Sequence, residues 1–278
     1  MRRVAPTPKG SARIAALVAL LALAAVAAAD ETEPSSTAWE FLRAKYYGEQ
    51  TMGLVDERYL SIDAPANTPD PAATRITIRL ADDAQSRIKR LRVFIDNNPS
   101  PLVATIELGA QPVTAIDMRV RIDRFTSVRV VAEKADGGLE MRSGWVKASG
   151  GCSAPPSAAA GGVLGEIRVR SASDSRSVTV SIRHPNSSGF QIDPRTGDNI
   201  PPHFISHLKI DSAAGPLIDA ELGISVSENP TLRIASAEPL PAVLRVDAVD
   251  SVTQAHYTAS TQSTRGIEPP PSASHGDR

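Results

Sequence analysis

The chain has 278 residues, 30 basic and 31 acidic side chains, a formal net charge of -1, 4% aromatic residues and one cysteine. That balance gives no electrostatic reason to bind nucleic acid or an anionic membrane surface. A single cysteine excludes an internal disulfide framework, and the scarcity of aromatics leaves Val, Ile, Leu and Ala to build the cores.

Residues 1–29 read as a signal peptide. Arg2, Arg3, Lys9 and Arg13 form a basic start without acids, Ile14 to Val26 is an apolar run, and Ala27-Ala28-Ala29 offers small residues for cleavage. The apolar run is shorter than the roughly 20 residues of a spanning helix, so no membrane anchor is expected after cleavage. Removal of the segment near Ala29 takes away four basic residues, which moves the formal charge from -1 to -5. The expected location is the periplasm.

Residues 30–36 are acidic and polar and are expected to be disordered. A short helix follows. Thr37 and Glu40 fit a capping box, and Trp39, Leu42 and Tyr46 recur at helical spacing before Gly48. This aromatic stripe is expected to pack on the first sheet.

From Arg75 the apolar period becomes two. Ile76, Ile78 and Leu80 form one run, Leu91, Val93 and Ile95 a second, Ile116, Met118, Val120 and Ile122 a third, and Val128 and Val130 a fourth. Turn residues bound each run, as in Asp96-Asn97-Asn98-Pro99 and Asp136-Gly137-Gly138. Arg79, Arg92, Arg119, Arg121 and Arg129 occupy the alternate positions and are expected to form a solvated strand face. An antiparallel sandwich over 37–148 is the predicted architecture.

Residues 149–163 break the alternation with Gly, Ser, Ala and Pro, and Cys152 lies among them. Gly150 and Gly151 are expected to give flexibility, and the stretch is too poor in apolar residues to bury a thiol. The reading is an accessible cysteine on a flexible arm. Alternation resumes with Ile167 and Val169, Val178, Val180 and Ile182, Phe204, Leu208 and Ile210, Leu232 and Ile234, and Leu244 and Val246. A second sandwich over 164–260 follows from it. Residues 261–278 are expected to be a disordered tail. The fold class is therefore all-β: two immunoglobulin-like antiparallel β-sandwiches with a short N-terminal helix.

Two sets of motifs carry a family resemblance. Ile88 to Ala104, with Asp96-Asn97-Asn98-Pro99 at its centre, and Trp145-Val146-Lys147 leading into Gly150-Gly151-Cys152 resemble SoxY of bacterial sulfur oxidation. His184-Pro185, Thr196 to Ile205 and Gly223 to Pro230 resemble its partner SoxZ. The chain is similar to fused SoxYZ-like carriers associated with quinoprotein dehydrogenases. The resemblance implies that Cys152 is a covalent attachment point for a thiosulfate-derived sulfur group and that the protein is a carrier and not an enzyme. Its implied partners are periplasmic sulfur-oxidation or quinoprotein dehydrogenase proteins. An accessory docking module without cargo is the alternative, and an exposed thiol also allows a disulfide-linked homodimer.

The chain departs from the family where a free C-terminal Gly-Gly-Cys-Gly-Gly arm would stand. Ser153-Ala154-Pro155-Pro156 follow the cysteine and lead into the second half, so the arm is a loop. A loop of this length projects roughly 15–20 Å when its ends lie close. The basic residue closest to the cysteine in sequence is Lys147, which leaves activation of the thiol to partner enzymes. His184, His203 and His207 match no tight metal-ligand spacing, so neither metal nor cofactor is expected.

Overall fold

The computed structural model describes residues 36–157 and 162–261, apart from the side chain of Gln85. The expected signal peptide (1–29), the polar 30–35, the middle of the arm and the expected tail beyond Thr261 lie outside the described residues. No helix among the described residues is long and apolar enough to cross a membrane.

Helix α1 (Thr37–Tyr47) includes Thr37 itself, so Ser36 takes the flanking position expected for Thr37. Trp39, Leu42 and Tyr47 are buried, and Trp39, Tyr46 and Tyr47 meet the Phe94 ring edge-on at 5.7, 5.2 and 6.4 Å. The expected packing on the first sheet is what this stripe does. Edge-on aromatic pairs add about 0.5–1.5 kcal/mol each beyond the apolar area they bury.

Strands form two sheets. The larger runs β1 (Met52–Leu54), β8 (Leu139–Val146), β7 (Thr126–Lys134), β4 (Ile88–Ile95), β5 (Leu102–Leu108), β12 (Gly215–Leu222), β11 (Ile205–Ser212), β14 (Leu244–Asp250) and β15 (His256–Ser260). The smaller runs β2 (Leu60–Asp63), β3 (Thr74–Leu80), β6 (Val113–Val120), β13 (Thr231–Ser236), β10 (Ser177–Ile182) and β9 (Ile167–Ser171). Neighbours are antiparallel except β1 and β8. These are the two immunoglobulin-like sandwiches that the alternation predicts.

The sandwiches are zipped edge to edge. Strand β5 of the first half pairs with β12 of the second, Ile106 opposite Ala220, and β6 pairs with β13, Ile116 opposite Ile234. Both sheets thus continue from one half into the other, and one apolar cluster fills the space between them from Val55 to Ala248. The alternating residues Ile76, Ile78, Leu91, Val93, Ile95, Ile116, Met118, Val120, Ile122, Val178, Val180, Leu232 and Ile234 all point into it. Each such side chain stabilises the fold by about 1.5–3 kcal/mol on burial.

The expected arginine face is only partly solvated. Arg79 and Arg119 are exposed, but Arg121 and Arg129 are buried. Helix α1 covers the outer face of β4 and β7, which puts Arg129 beneath Trp39 with its guanidinium carbon 4.9 Å from the ring. Its Nε donates to both Asp96 carboxylate oxygens at 3.0 and 2.9 Å. Arg121 lies just past β6, where the second half covers it.

Candidate functional site

Cys152 is not on an exposed arm. It retains 3% of its surface, and Gly151 beside it is also buried. The expectation of an accessible thiol counted the apolar residues of the arm alone. The walls that bury the cysteine come from elsewhere in the chain.

Gly150 N–H donates to the Asp123 carbonyl at 2.7 Å, and Gly151 N–H to that of Ile122 at 3.1 Å. On the far side, Ser188 Oγ donates to the Cys152 carbonyl at 2.5 Å and Gln191 Nε2 to that of Ala154 at 3.0 Å. Ser157 closes the set with bonds from its N–H and hydroxyl to the Glu228 carboxylate at 3.0 and 2.5 Å. The first half therefore holds the residues before the thiol and the second half those after it.

The two glycines serve geometry here. A Cβ on Gly151 would fall 2.1 Å from the Pro71 carbonyl oxygen and 2.5 Å from that of Ile122. Gly150 has φ of +75°, in the left-handed region that side chains disfavour. These positions seat the arm, which corrects the expectation that they loosen it.

Burial pushes the Cys152 thiol up to about 12, with the nearby Asp123 charge adding to the rise and Arg121 opposing it. A thiol so held is protonated at neutral pH, and the thiolate is the nucleophile. In the docked arm Cys152 is therefore chemically quiet.

Arg121 is the residue that sequence reasoning missed. Its Nη1 donates to the Val226 carbonyl at 2.7 Å, and its buried Nε has no hydrogen-bond partner among the described residues. Burial holds its pKa below the usual value, and the Cys152 and Glu228 charges act against that. Alternation marked it as an outward-facing strand residue. Only the pairing of the two halves encloses it.

Two of the histidines whose spacing matches no metal motif nevertheless meet in space. His184, His203 and Asp250 converge: the two histidine Nε2 atoms are 3.3 Å apart, and Asp250 Oδ2 is 3.2 Å from His184 Nε2 and 2.7 Å from His203 Nε2. Burial lowers the pKa of His184 against the opposing effect of its Asp250 contact. For Asp250, burial acts upward, but N–H groups of Thr253 and Val252 and the two histidines outweigh it and hold the carboxyl well below the usual range. His207 goes elsewhere and meets Asp219 at 2.5 Å. Chain spacing could not show this cluster, because its members come from a turn, a loop and the end of β14.

Family comparisons agree with these halves. The family described as "Sulfur oxidation protein SoxY" matches residues 43–152, ending on the cysteine, and "Sulphur oxidation protein SoxZ" matches 167–261. No curated protein sequence matches the chain. Among solved structures, the sulfur carrier protein SoxY from Chlorobium limicola f thiosulfatophilum is 19% identical over 40% of this chain and 90% of that one, with a TM-score of 0.34. A superoxide reductase (neelaredoxin) from Ignicoccus hospitalis is 12% identical over 32% of this chain and 79% of its own, with a TM-score of 0.26. Two family matches in this order, joined by one arm, identify the chain as a fused SoxYZ-like protein of the sulfur-oxidation carrier type.

Proposed function

We propose that this protein is a periplasmic carrier that holds a sulfur-linked, thiosulfate-like intermediate covalently on Cys152 and presents it to partner enzymes. The observation that carries the reading is the position of the cysteine. It is the last residue of the SoxY match, and a SoxZ match follows it. The arm around it is latched by side-chain bonds at its far end, so it can be released without unravelling either sheet.

Carrier chemistry then has two stages. In the docked arm the thiol is buried and protonated. On release, solvent returns the thiol to its ordinary range, from which it ionises readily in a partner's site. Joining that thiolate to thiosulfate through a sulfur–sulfur bond removes two electrons, which a redox partner accepts. The protein supplies the attachment atom and the timing of its exposure, and its partners supply the catalysis.

Mass spectrometry of the intact protein from cells oxidising thiosulfate tests this. The expected result is an adduct on the peptide containing Cys152. Only the free thiol, across several growth conditions, overturns it.

The second reading is an accessory module that docks a periplasmic quinoprotein dehydrogenase. The burial of Cys152 and the closure of the arm at both ends favour it. A Cys152→Ser variant separates the two, because full support of the cellular pathway by that variant leaves only docking. Burial of the thiol also argues against a disulfide-linked homodimer in the docked state.

A further inference from the structure

The segment between β10 and β11 carries a second cluster that sulfur transfer does not use. His184 is buried, Asp250 is fully buried, and the His203 side chain keeps 28% of its surface. A T-shaped contact sets the two imidazoles 4.5 Å apart between ring centroids. Backbone bonds between Ser187 and His203 at 2.7 and 3.0 Å tie the ends of the segment together.

Protons alone satisfy this arrangement poorly. With hydrogen on both Nε2 atoms, Asp250 Oδ2 receives both histidines and the Tyr257 hydroxyl at 3.1 Å. That is three donors on one carboxylate oxygen, which has about two lone-pair sites. With either Nε2 bare, a nitrogen lone pair faces the carboxylate at 3.2 or 2.7 Å. A cation among the three atoms converts the histidine–histidine and histidine–aspartate contacts into ligand bonds and leaves Asp250 Oδ2 the Tyr257 hydroxyl as its one hydrogen-bond donor.

The distances suit a small ion. A tetrahedral centre holding nitrogen and oxygen at about 2.0–2.2 Å spaces its ligands about 3.3–3.5 Å apart. Two of the three separations are 3.3 and 3.2 Å. The 2.7 Å pair involves His203, the partly exposed member, and would have to lengthen as an ion enters. An outer layer is already built. His184 Nδ1 lies 2.9 Å from Asn186 Oδ1 and 3.1 Å from the Asn186 N–H, so the ring has a partner in either tautomer, and a bound ion would select the one with hydrogen on Nδ1 and Nε2 bare. The other carboxylate oxygen of Asp250 accepts from Val252 and Thr253 N–H at 2.8 and 2.9 Å.

We propose that His184 Nε2, His203 Nε2 and Asp250 Oδ2 bind one divalent transition-metal ion of the zinc class, with a fourth position open on the His203 side. Imidazole and carboxylate donors suit such an ion better than calcium or magnesium. The site is independent of the carrier role. It does pin the segment whose Ser188 and Gln191 hold the arm.

The test uses the full chain carrying Cys152→Ser, because a thiolate would itself bind zinc. Zinc is titrated by calorimetry and cobalt(II) by visible absorption. The expected result is one ion per chain and the visible bands of four-coordinate cobalt. Adding His203→Ala should weaken binding at least roughly tenfold. Adding His256→Ala, at the exposed His256–Asp247 pair, should leave binding unchanged. Absence of saturable one-to-one binding, equal affinity in His203→Ala, or loss of binding in His256→Ala overturns the site. Should His203→Ala fail to fold, the cobalt spectrum of the chain with all its histidines decides, and a six-coordinate spectrum rejects the proposal.

Discussion

Two arginines lie fully inside the molecule and are treated in opposite ways. Arg129 has a fixed counter-charge: its Nε reaches both oxygens of Asp96, and Trp39 covers its face. Arg121 has one backbone carbonyl through Nη1 and a bare Nε, with Cys152 in its electrostatic neighbourhood. The contrast separates scaffold from site. A paired buried charge fixes α1 to the sheet. An underpaired one marks a place that can accept a different charge arrangement, as the role proposed for Cys152 requires.

The largest expected effect is on the scaffold side. Arg129→Ala leaves the buried Asp96 carboxylate without that partner, and breaking such a pair costs about 3–5 kcal/mol. Urea unfolding should show that loss, and the near-ultraviolet signal of Trp39 should change with it. A loss below about 1 kcal/mol would place Arg129 with ordinary surface pairs and remove the contrast.

Next comes the seat of the arm. Gly151→Ala puts a methyl group against the Pro71 and Ile122 carbonyls. The clash should expel the arm at a cost of about 1–3 kcal/mol, the usual range for overpacking. Alkylation of Cys152 under native conditions should then accelerate by about tenfold or more, since each 1.4 kcal/mol is a factor of ten in the open population. An unchanged rate would mean that the docked thiol is reached by another route.

Most of the fold was readable because strand alternation is a local property. Ile116, Met118, Val120 and Ile122 needed only their own spacing to be placed inside. The buried arginines were not readable. Arg121 and Arg129 sit at polar positions of the same pattern, and what buries them is α1 or the second half of the chain. The candidate site failed for the same reason. Gly-Gly-Cys marked the candidate attachment atom, but nothing near it in sequence predicted Ser188, Gln191 or Arg121. His184 and His203 were visible as residues, yet their meeting depends on Asp250 at the end of β14. Long-range pairing decides all of these, and one-dimensional spacing does not report it.

The thiol itself gives a pH test. Burial raises Cys152 to about 12, above its unfolded value near 9. Between those values the folded state keeps a proton that the unfolded state releases, so the stability due to the neutral thiol is complete below about pH 9 and falls as pH rises toward 12. The slope for one such group is about 1.4 kcal/mol per pH unit. Other groups titrate in the same window, so the quantity to measure is the difference between the wild-type chain and Cys152→Ser. At pH 10 that difference should have moved against the wild type by about 1.4 kcal/mol relative to pH 8. A flat difference would mean that the arm opens locally and the thiol ionises in solvent without loss of the fold.

The smallest effect is the sharpest test of the contrast. Arg121→Met keeps a long side chain in the same space and removes the guanidinium. The Val226 carbonyl that loses Nη1 still accepts Asn186 Nδ2 at 3.3 Å, so it is not abandoned. Removing a buried charge together with its solvation cost is often neutral or stabilising. Stability should therefore change by no more than about 1 kcal/mol, with a neutral or stabilising sign, against the large loss expected for Arg129→Ala. Arg121 also opposes the rise of the Cys152 pKa, so without it the docked thiol should ionise at still higher pH. A destabilisation of the Arg129 size would show that Arg121 is a structural charge like its neighbour, and its place beside the thiol would then carry no functional weight.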